Sequence, residues 1–445
     1  MVFKPVGVDE NGKFPARVEE TLSDSYVSRG ELSLNVKHHG AKGDGTVDDT
    51  AAINASFSAA AALTLTTQLA NGNDASIVPV KPEVYIPEGQ YNVSSQLVIP
   101  RGVNLRMADT AKIRATAIMT SLVSTDKSVI HQSSRWSGGV LDCNGLAGSG
   151  FILGAGIACD VEFKEVFNPT GDAVVIGETG AVATSYEISL RMRRMWRPRA
   201  TVPAADKAGL FVNNCSDSVF EVDSVRGFDV GSRNAGGDNE FRVIHPWNAS
   251  GAPGPSIGHD ELATANGTRL MGYVFDTPSL YGLRLRGSNT IQVIGGHFYQ
   301  NSQGVDNTAT AIYCDASPKL TALGCVIYGS GGIRWKKDIE SVGGTANVRW
   351  LSTSDATTVV SRNWGDRFYL PGAYFNSGSL VPLQMVAGSA DLLQVFSGAT
   401  TIAKITKDGE YEYGTSGKGT IVKSPNGTRY RIGVNDAGAV VATAL

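Results

Sequence analysis

The sequence predicts an all-β solenoid, in which each layer of short strands is closed only by the layers above and below it. Three observations lead there. From Val84 onward, short runs rich in β-branched and aromatic residues recur between Gly, Asn, Asp and Ser clusters, and no helical period competes with them. The pattern also repeats. Residues 209–212, the polar turn 213–218 and 219–225 match 282–285, 286–290 and 291–294, and match again 311–314, 315–319 and 320–327. Finally, a unit of roughly 20 to 30 residues is too short for a propeller blade, which needs about forty. Such a unit buries its inward side chains only by stacking on the next, with strands about 4.8 Å apart. On the order of eleven coils between Val84 and Leu351 would make a rod roughly 50 Å long.

Taken in order, residues 1–33 read as an attachment peptide: Val18, Leu22 and Tyr26 form one stripe of a short amphipathic helix that needs a partner surface. A solenoid exposes strand edges at its ends, and these must be covered. Asp48 and Asp49 offer an N-cap to a helix carrying Ile53 and Phe57 on one face, suited to lid the first coil. Strands are expected at 84–86, 91–93, 97–99, 103–107, 140–141, 174–176 and 186–190. From Leu380 the texture changes, and 392–396, 402–405, 408–413 and 419–423 alternate like hairpin strands. Those strands are too short for a large core in one chain, which favours a core shared among three.

Composition excludes several classes. With 52 Gly and 17 Pro but no collagen period, 42% hydrophobic and 18% charged residues, the chain can fold. A net charge of -3 gives no basic footprint for nucleic acid or a membrane surface. The least charged stretch, 51–69, is interrupted by Asn54, Ser56, Ser58 and Gln68, so no membrane span is expected. The first ten residues carry neither a basic n-region nor an apolar h-region, which argues against a cleaved export signal. Cys143, Cys159, Cys215, Cys314 and Cys325 are odd in number and form no C-x-x-C pair, so free buried thiols are expected, with no metal and no cofactor.

The segment Val36-Lys37-His38-His39-Gly40-Ala41-Lys42-Gly43-Asp44-Gly45-Thr46-Val47-Asp48-Asp49-Thr50-Ala51-Ala52-Ile53 closely resembles the N-terminal signature of the pectate-lyase-like superfamily found in phage tailspikes and bacterial glycan-active enzymes. Val84-Tyr85-Ile86-Pro87-Glu88-Gly89-Gln90-Tyr91 is similar to that superfamily's first coil, and Gly138-Gly139-Val140-Leu141-Asp142-Cys143-Asn144-Gly145 extends the likeness. Residues 424–438 resemble terminal segments of phage tail fibres and spikes. The resemblance implies a right-handed parallel β-helix over 34–375, a virion-attachment peptide at 1–33 and a trimerisation or tip module at 376–445. It further implies a homotrimeric phage tailspike, joined to tail or baseplate proteins through its N-terminus, that recognises a host cell-surface polysaccharide with or without depolymerising it. Synthesis in the host cytoplasm and assembly into the virion fit both the lack of an export signal and the unpaired cysteines. The superfamily hosts lyases, hydrolases, epimerases and binding spikes, so a free-standing polysaccharide lyase or hydrolase and a purely structural spike remain alternatives. Within the signature itself, Gly40, Gly43 and Gly45 permit tight turns while Asp44, Asp48 and Asp49 cap backbone, marking the fold rather than a catalytic site.

Glycoside hydrolysis needs two carboxyl groups, whereas a lyase needs a base and a cation beside a uronate. On a β-helix these groups sit on neighbouring coils, so no compact motif is expected. The richest segment, 221–261, interrupts the repeat and offers Glu221 and Asp223, two apart and thus on one strand face, with Asp238 and Glu240 as further carboxylates. His245, Trp247, His259 and His297 are the candidate glycan-binding residues, with Trp247 able to stack a sugar ring. Asp142 reads as a turn residue. The cluster Arg191, Arg193, Arg194, Arg197 and Arg199 either holds an acidic saccharide or solvates a strand and pairs between subunits.

Overall fold

The computed structural model describes residues 33–63, 82–198, 205–247, 255–287, 289–300, 308–329, 335–342 and 347–351, with further strand segments between 359 and 444. The expected attachment peptide and Arg199 lie outside the described residues. The protein is a parallel β-helix, nearly all β, with the α-helix Thr50–Leu63 near its N-terminus. Its chain divides into two compact units, one ending at Phe228 and the other beginning at Asp229.

In the first unit, Ser33–Asn35, Glu83–Ile86, Asn104–Met107, Arg135–Ser137, Asp160–Glu162, Ser189–Trp196 and Val219–Arg226 pair in succession as a parallel ladder. A second ladder runs through Asp44–Asp48, Gln90–Val93, Lys112–Ala115, Val140–Asp142 and Glu165–Phe167 to the same long strand Ser189–Trp196. Leu97–Ile99, Met119–Thr125, Ala147–Leu153, Val174–Ile176 and Ala208–Val212 form a third.

Registers explain why these particular residues form the stack. Val84, Leu105, Trp136, Val161, Leu190 and Phe220 are successive partners in one inward column, and all are buried. Tyr91, Ile113, Leu141, Val166, Met195 and Val225 make a second such column. Strand period two sends their neighbours outward. Each fully buried large apolar side chain contributes about 1.5–3 kcal/mol, and only the adjacent layers can supply that burial.

The helix Thr50–Leu63 buries Ile53, Phe57 and Ala60 and packs on Leu97–Ile99, Ser33–Asn35 and Glu83–Ile86, covering strand edges that would otherwise be open. The signature residues do structural work around it. The Asp49 carboxylate accepts the Lys42 and Gly43 amides at 2.6 and 3.1 Å, and Asp48 accepts the Thr50 amide at 3.0 Å. Gly43 has φ +64, and a Cβ there would come within 2.6 Å of the Tyr91 ring, so no larger residue fits.

In the second unit, Val230–Asn234, Ile257–Glu261, Tyr281–Leu285, Thr310–Cys314, Lys337–Ser341, Val359–Ser361 and Phe375–Ser377 form one parallel ladder. Glu240–Arg242, Thr268–Met271, Thr290–Ile294, Lys319–Leu323, Asn347–Leu351 and Arg367–Tyr369 form another. Val274–Asp276, His297–Gln300 and Val326–Gly329 make a third, with Phe275 and Phe298 buried and stacked 4.2 Å apart. The second and third sequence copies thus lie directly on one another, strand for strand. Pairing turns antiparallel from Leu383–Gln384 on, in one group reaching Tyr411–Glu412 and another made of Thr420–Lys423, Arg429–Val434 and Val440–Ala444. All five cysteines are buried thiols outside any disulfide, and burial pushes Cys215 up to about 12.

Candidate saccharide-binding site

The outward face of the first unit's second ladder gathers aromatic, acidic and basic side chains. Register places Asp142, Phe167, Trp196 and Arg226 in one outward column and Lys112, Val140, Glu165 and Arg194 in the next. Phe167 and Trp196 lie with ring centroids 4.4 Å apart, and the Arg194 and Arg226 guanidinium carbons each sit 6.0 Å from the Trp196 ring. Beside this platform are two carboxyl groups that are largely withdrawn from water. Burial raises Asp142 above the ordinary range, although the Asn144 amide, Lys112 and Arg114 pull the other way. Burial raises Glu165 too, against the pull of Arg194 and Lys112. Lys112 acts on both groups, approaching Asp142 at 3.9 Å.

Contacts fix each carboxyl. Asp142 Oδ1 accepts the Asn144 amide at 3.0 Å, the expected turn role, which leaves Oδ2 facing Arg114 Nε at 3.6 Å. Glu165 Oε2 pairs with Arg194 at 3.1 Å while Trp196 Nε1 donates to Oε1. One strand across and two residues along separates their Cα atoms by about 8 Å. Composition hid this site, because Asp142, Glu165, Phe167 and Trp196 are spread over three coils. The one usable signal was the outward parity of Glu165 and Phe167 on a strand.

The residues singled out in sequence divide between the units. Glu221 and Asp223 do share an outward strand face, but Glu221 pairs with Arg191 at 3.5 Å and Asp223 is exposed. Asp238 is an exposed turn residue with φ 51, and Glu240 pairs with Arg242 and, at 3.8 Å, with Arg269. His245 reaches Asp276 at 3.1 Å and lies 6.3 Å from Trp247. Asp276, Tyr299 and Tyr328 are register partners on successive coils, and His297 stands 6.4 Å from Tyr328. Three of the four candidate glycan contacts therefore join one half-exposed aromatic strip of the second unit. His259 does not, because its ring points into the coil and is fully buried.

Around His259 the interior is polar. Ser232 Oγ lies 2.7 Å from Nδ1, and Glu261 Oε2 lies 2.9 Å from Nε2. This serine–histidine–carboxylate order resembles a nucleophilic triad, yet all three side chains are inaccessible, so no substrate reaches the serine.

Residues 33–140 match the family model described as Rhamnogalacturonase A/epimerase, pectate lyase-like. A curated relative, the non-secreted LysM effector LysM19 of Penicillium expansum, is 39% identical over 89 residues, which are 19% of this chain; the chain spans only 6% of that protein's length. Among solved structures, the surface adhesin PfbA of Streptococcus pneumoniae is similar over 82% of this chain and 100% of its own, at 15% identity and TM-score 0.51. ORF18 of Geobacillus virus E2 is similar over 98% of this chain and 92% of its own, at 15% identity and TM-score 0.48. The protein is a parallel β-helix whose first coils, residues 33–140, are similar to the pectate-lyase-like family model.

Proposed function

We propose that this protein is a tailspike-type phage tail protein that binds a bacterial cell-surface polysaccharide across the outward face carrying Phe167 and Trp196. The observation that carries the reading is the pair of desolvated carboxyls, Asp142 and Glu165, flanking an aromatic platform on adjacent coils. A sugar ring stacks its C–H face on Trp196, and Arg194 and Arg226 bind its oxygens. Two carboxyl groups roughly 5 to 9.5 Å apart suit glycoside hydrolysis, one keeping its proton for the leaving oxygen and the other activating water or attacking. His245, Trp247 and His297 are proposed as further saccharide contacts on the second unit. Glu221 is half-exposed and Asp223 exposed where Asp142 and Glu165 are buried, so the acid–base role is proposed for the buried pair.

Binding without cleavage is the second reading, favoured by one fact: both Glu165 oxygens are already engaged, by Arg194 and Trp196. Viscosity and reducing-end assays on host polysaccharides separate the two. Hydrolysis predicts that Asp142→Asn and Glu165→Gln each lower the rate by about 10²–10⁴ while binding persists. Trp196→Ala should weaken binding by roughly tenfold or more. Unsaturated, ultraviolet-absorbing ends would replace hydrolysis with lyase chemistry, and undiminished binding by the Trp196 variant would remove the site.

A further inference from the structure

We infer that the interior of the second unit holds a proton-sharing pair, His259 and Glu261, with both ring nitrogens of His259 acting as donors, and that the bonds of this pair to Ser232 and Asn234 pin the register of Ile257–Glu261 on Val230–Asn234. The hydrogen bonds can be followed in one direction from end to end. Tyr273 Oη donates to the Gly258 carbonyl at 2.8 Å, and burial holds that phenol far above its ordinary range, so its one proton is committed. Ser232 Oγ, 2.8 Å from the same phenolic oxygen, must then donate to it. Having spent its proton there, Ser232 can only accept from His259, so Nδ1 carries hydrogen.

The other end is equally determined. Gly236 N–H and Asn239 Nδ2 both donate to Asn234 Oδ1, which turns the Asn234 amide nitrogen toward Thr268 and Glu261. Thr268 accepts from Asn234 at 2.9 Å and passes its own hydroxyl proton to Glu261 Oε1. Glu261 therefore receives donors on Oε1, and Oε2 faces His259 Nε2 with one proton between them. The nearby charges Asp260, Arg233 and Arg286 bond one another on the opposite face of the strand and take no part.

An imidazolium beside a carboxylate is neutral as a pair, which is why a buried coil interior walled by the Phe241 and Tyr273 rings can hold it. It also has a consequence for register. A two-residue slip keeps inward residues inward and costs an apolar column little, but here it would part His259 from Ser232 and Glu261 from Asn234, leaving buried polar groups unbonded.

Nitrogen-15 NMR of the histidine rings in the full chain tests this, with the signal assigned by loss in His259→Asn. One of the six histidines should show two protonated ring nitrogens. In Glu261→Gln the same ring should show one bare nitrogen, and amides of 230–234 and 257–261 should exchange at least about tenfold faster while the first unit's amides keep their rates. Should Glu261→Gln not fold, Ser232→Ala must still retain the protonated Nε2. A bare ring nitrogen on His259 in the unmodified chain, or an unaltered ring pattern or unaltered exchange in Glu261→Gln, overturns the inference.

Discussion

Asp44 and Asp48 show how single side chains secure the first coil. Asp44 is held below the usual carboxylate range by the Val47 and Thr46 amides, and Asp48 is held below it by Ser94 and Thr50 in spite of some burial. A carboxyl depressed in the folded state lends stability above its unfolded range and withdraws it as pH falls through the folded value. Acid should therefore loosen the lid helix before the coils beneath it. Hydrogen-exchange protection of 50–63 should fall below about pH 4, and Asp48→Asn, which still caps, should blunt that fall. Equal acid sensitivity in the variant would refute the assignment. These aspartates were legible in sequence because Thr46, Val47 and Thr50 lie close along the chain, whereas the Ser94 contact of Asp48 comes from 46 residues away and was not. Asp142 was legible only as a turn residue, because the cations and the Trp196 platform beside it come from other coils.

At the scale of the element, the stack converts short strands of little individual stability into continuous columns. Trp136 sits between Leu105 and Val161, fully buried, with its indole donating to the Val103 carbonyl at 3.3 Å. Trp136→Ala should cost about 3–5 kcal/mol, read as a drop in denaturant midpoint, with loss of protection spreading to both neighbouring coils. A change confined to one coil would argue against columnar coupling. Strand positions were readable because β-branched and aromatic runs alternate with turn residues. The partner of each strand was not, since coil lengths vary: Val84 to Leu105 and Leu105 to Trp136 are unequal steps to the same inward position.

For the whole molecule, the parallel coils give way to antiparallel pairing after Phe375–Ser377, where the sequence texture also changes. The described strands there form two separate small sheets, which is the physical ground for expecting chains to share a core, and the likeness of 424–438 to phage spike ends sets the expected number at three. Light scattering should find a species of three chains, and removal of the segment from Leu380 on should reduce it to one. A monomer of full length would end the trimer proposal.

The sequence by itself determined that strands form, where they fall and that they must stack, because alternation and repeat length are local properties written in consecutive residues. Tertiary structure alone decided which residues meet across coils. Asp142 beside Phe167, Glu165 beside Arg194 and Trp196, and His259 turned inward onto Ser232 all depend on register between strands more than twenty residues apart, and register is set by packing that no single segment contains.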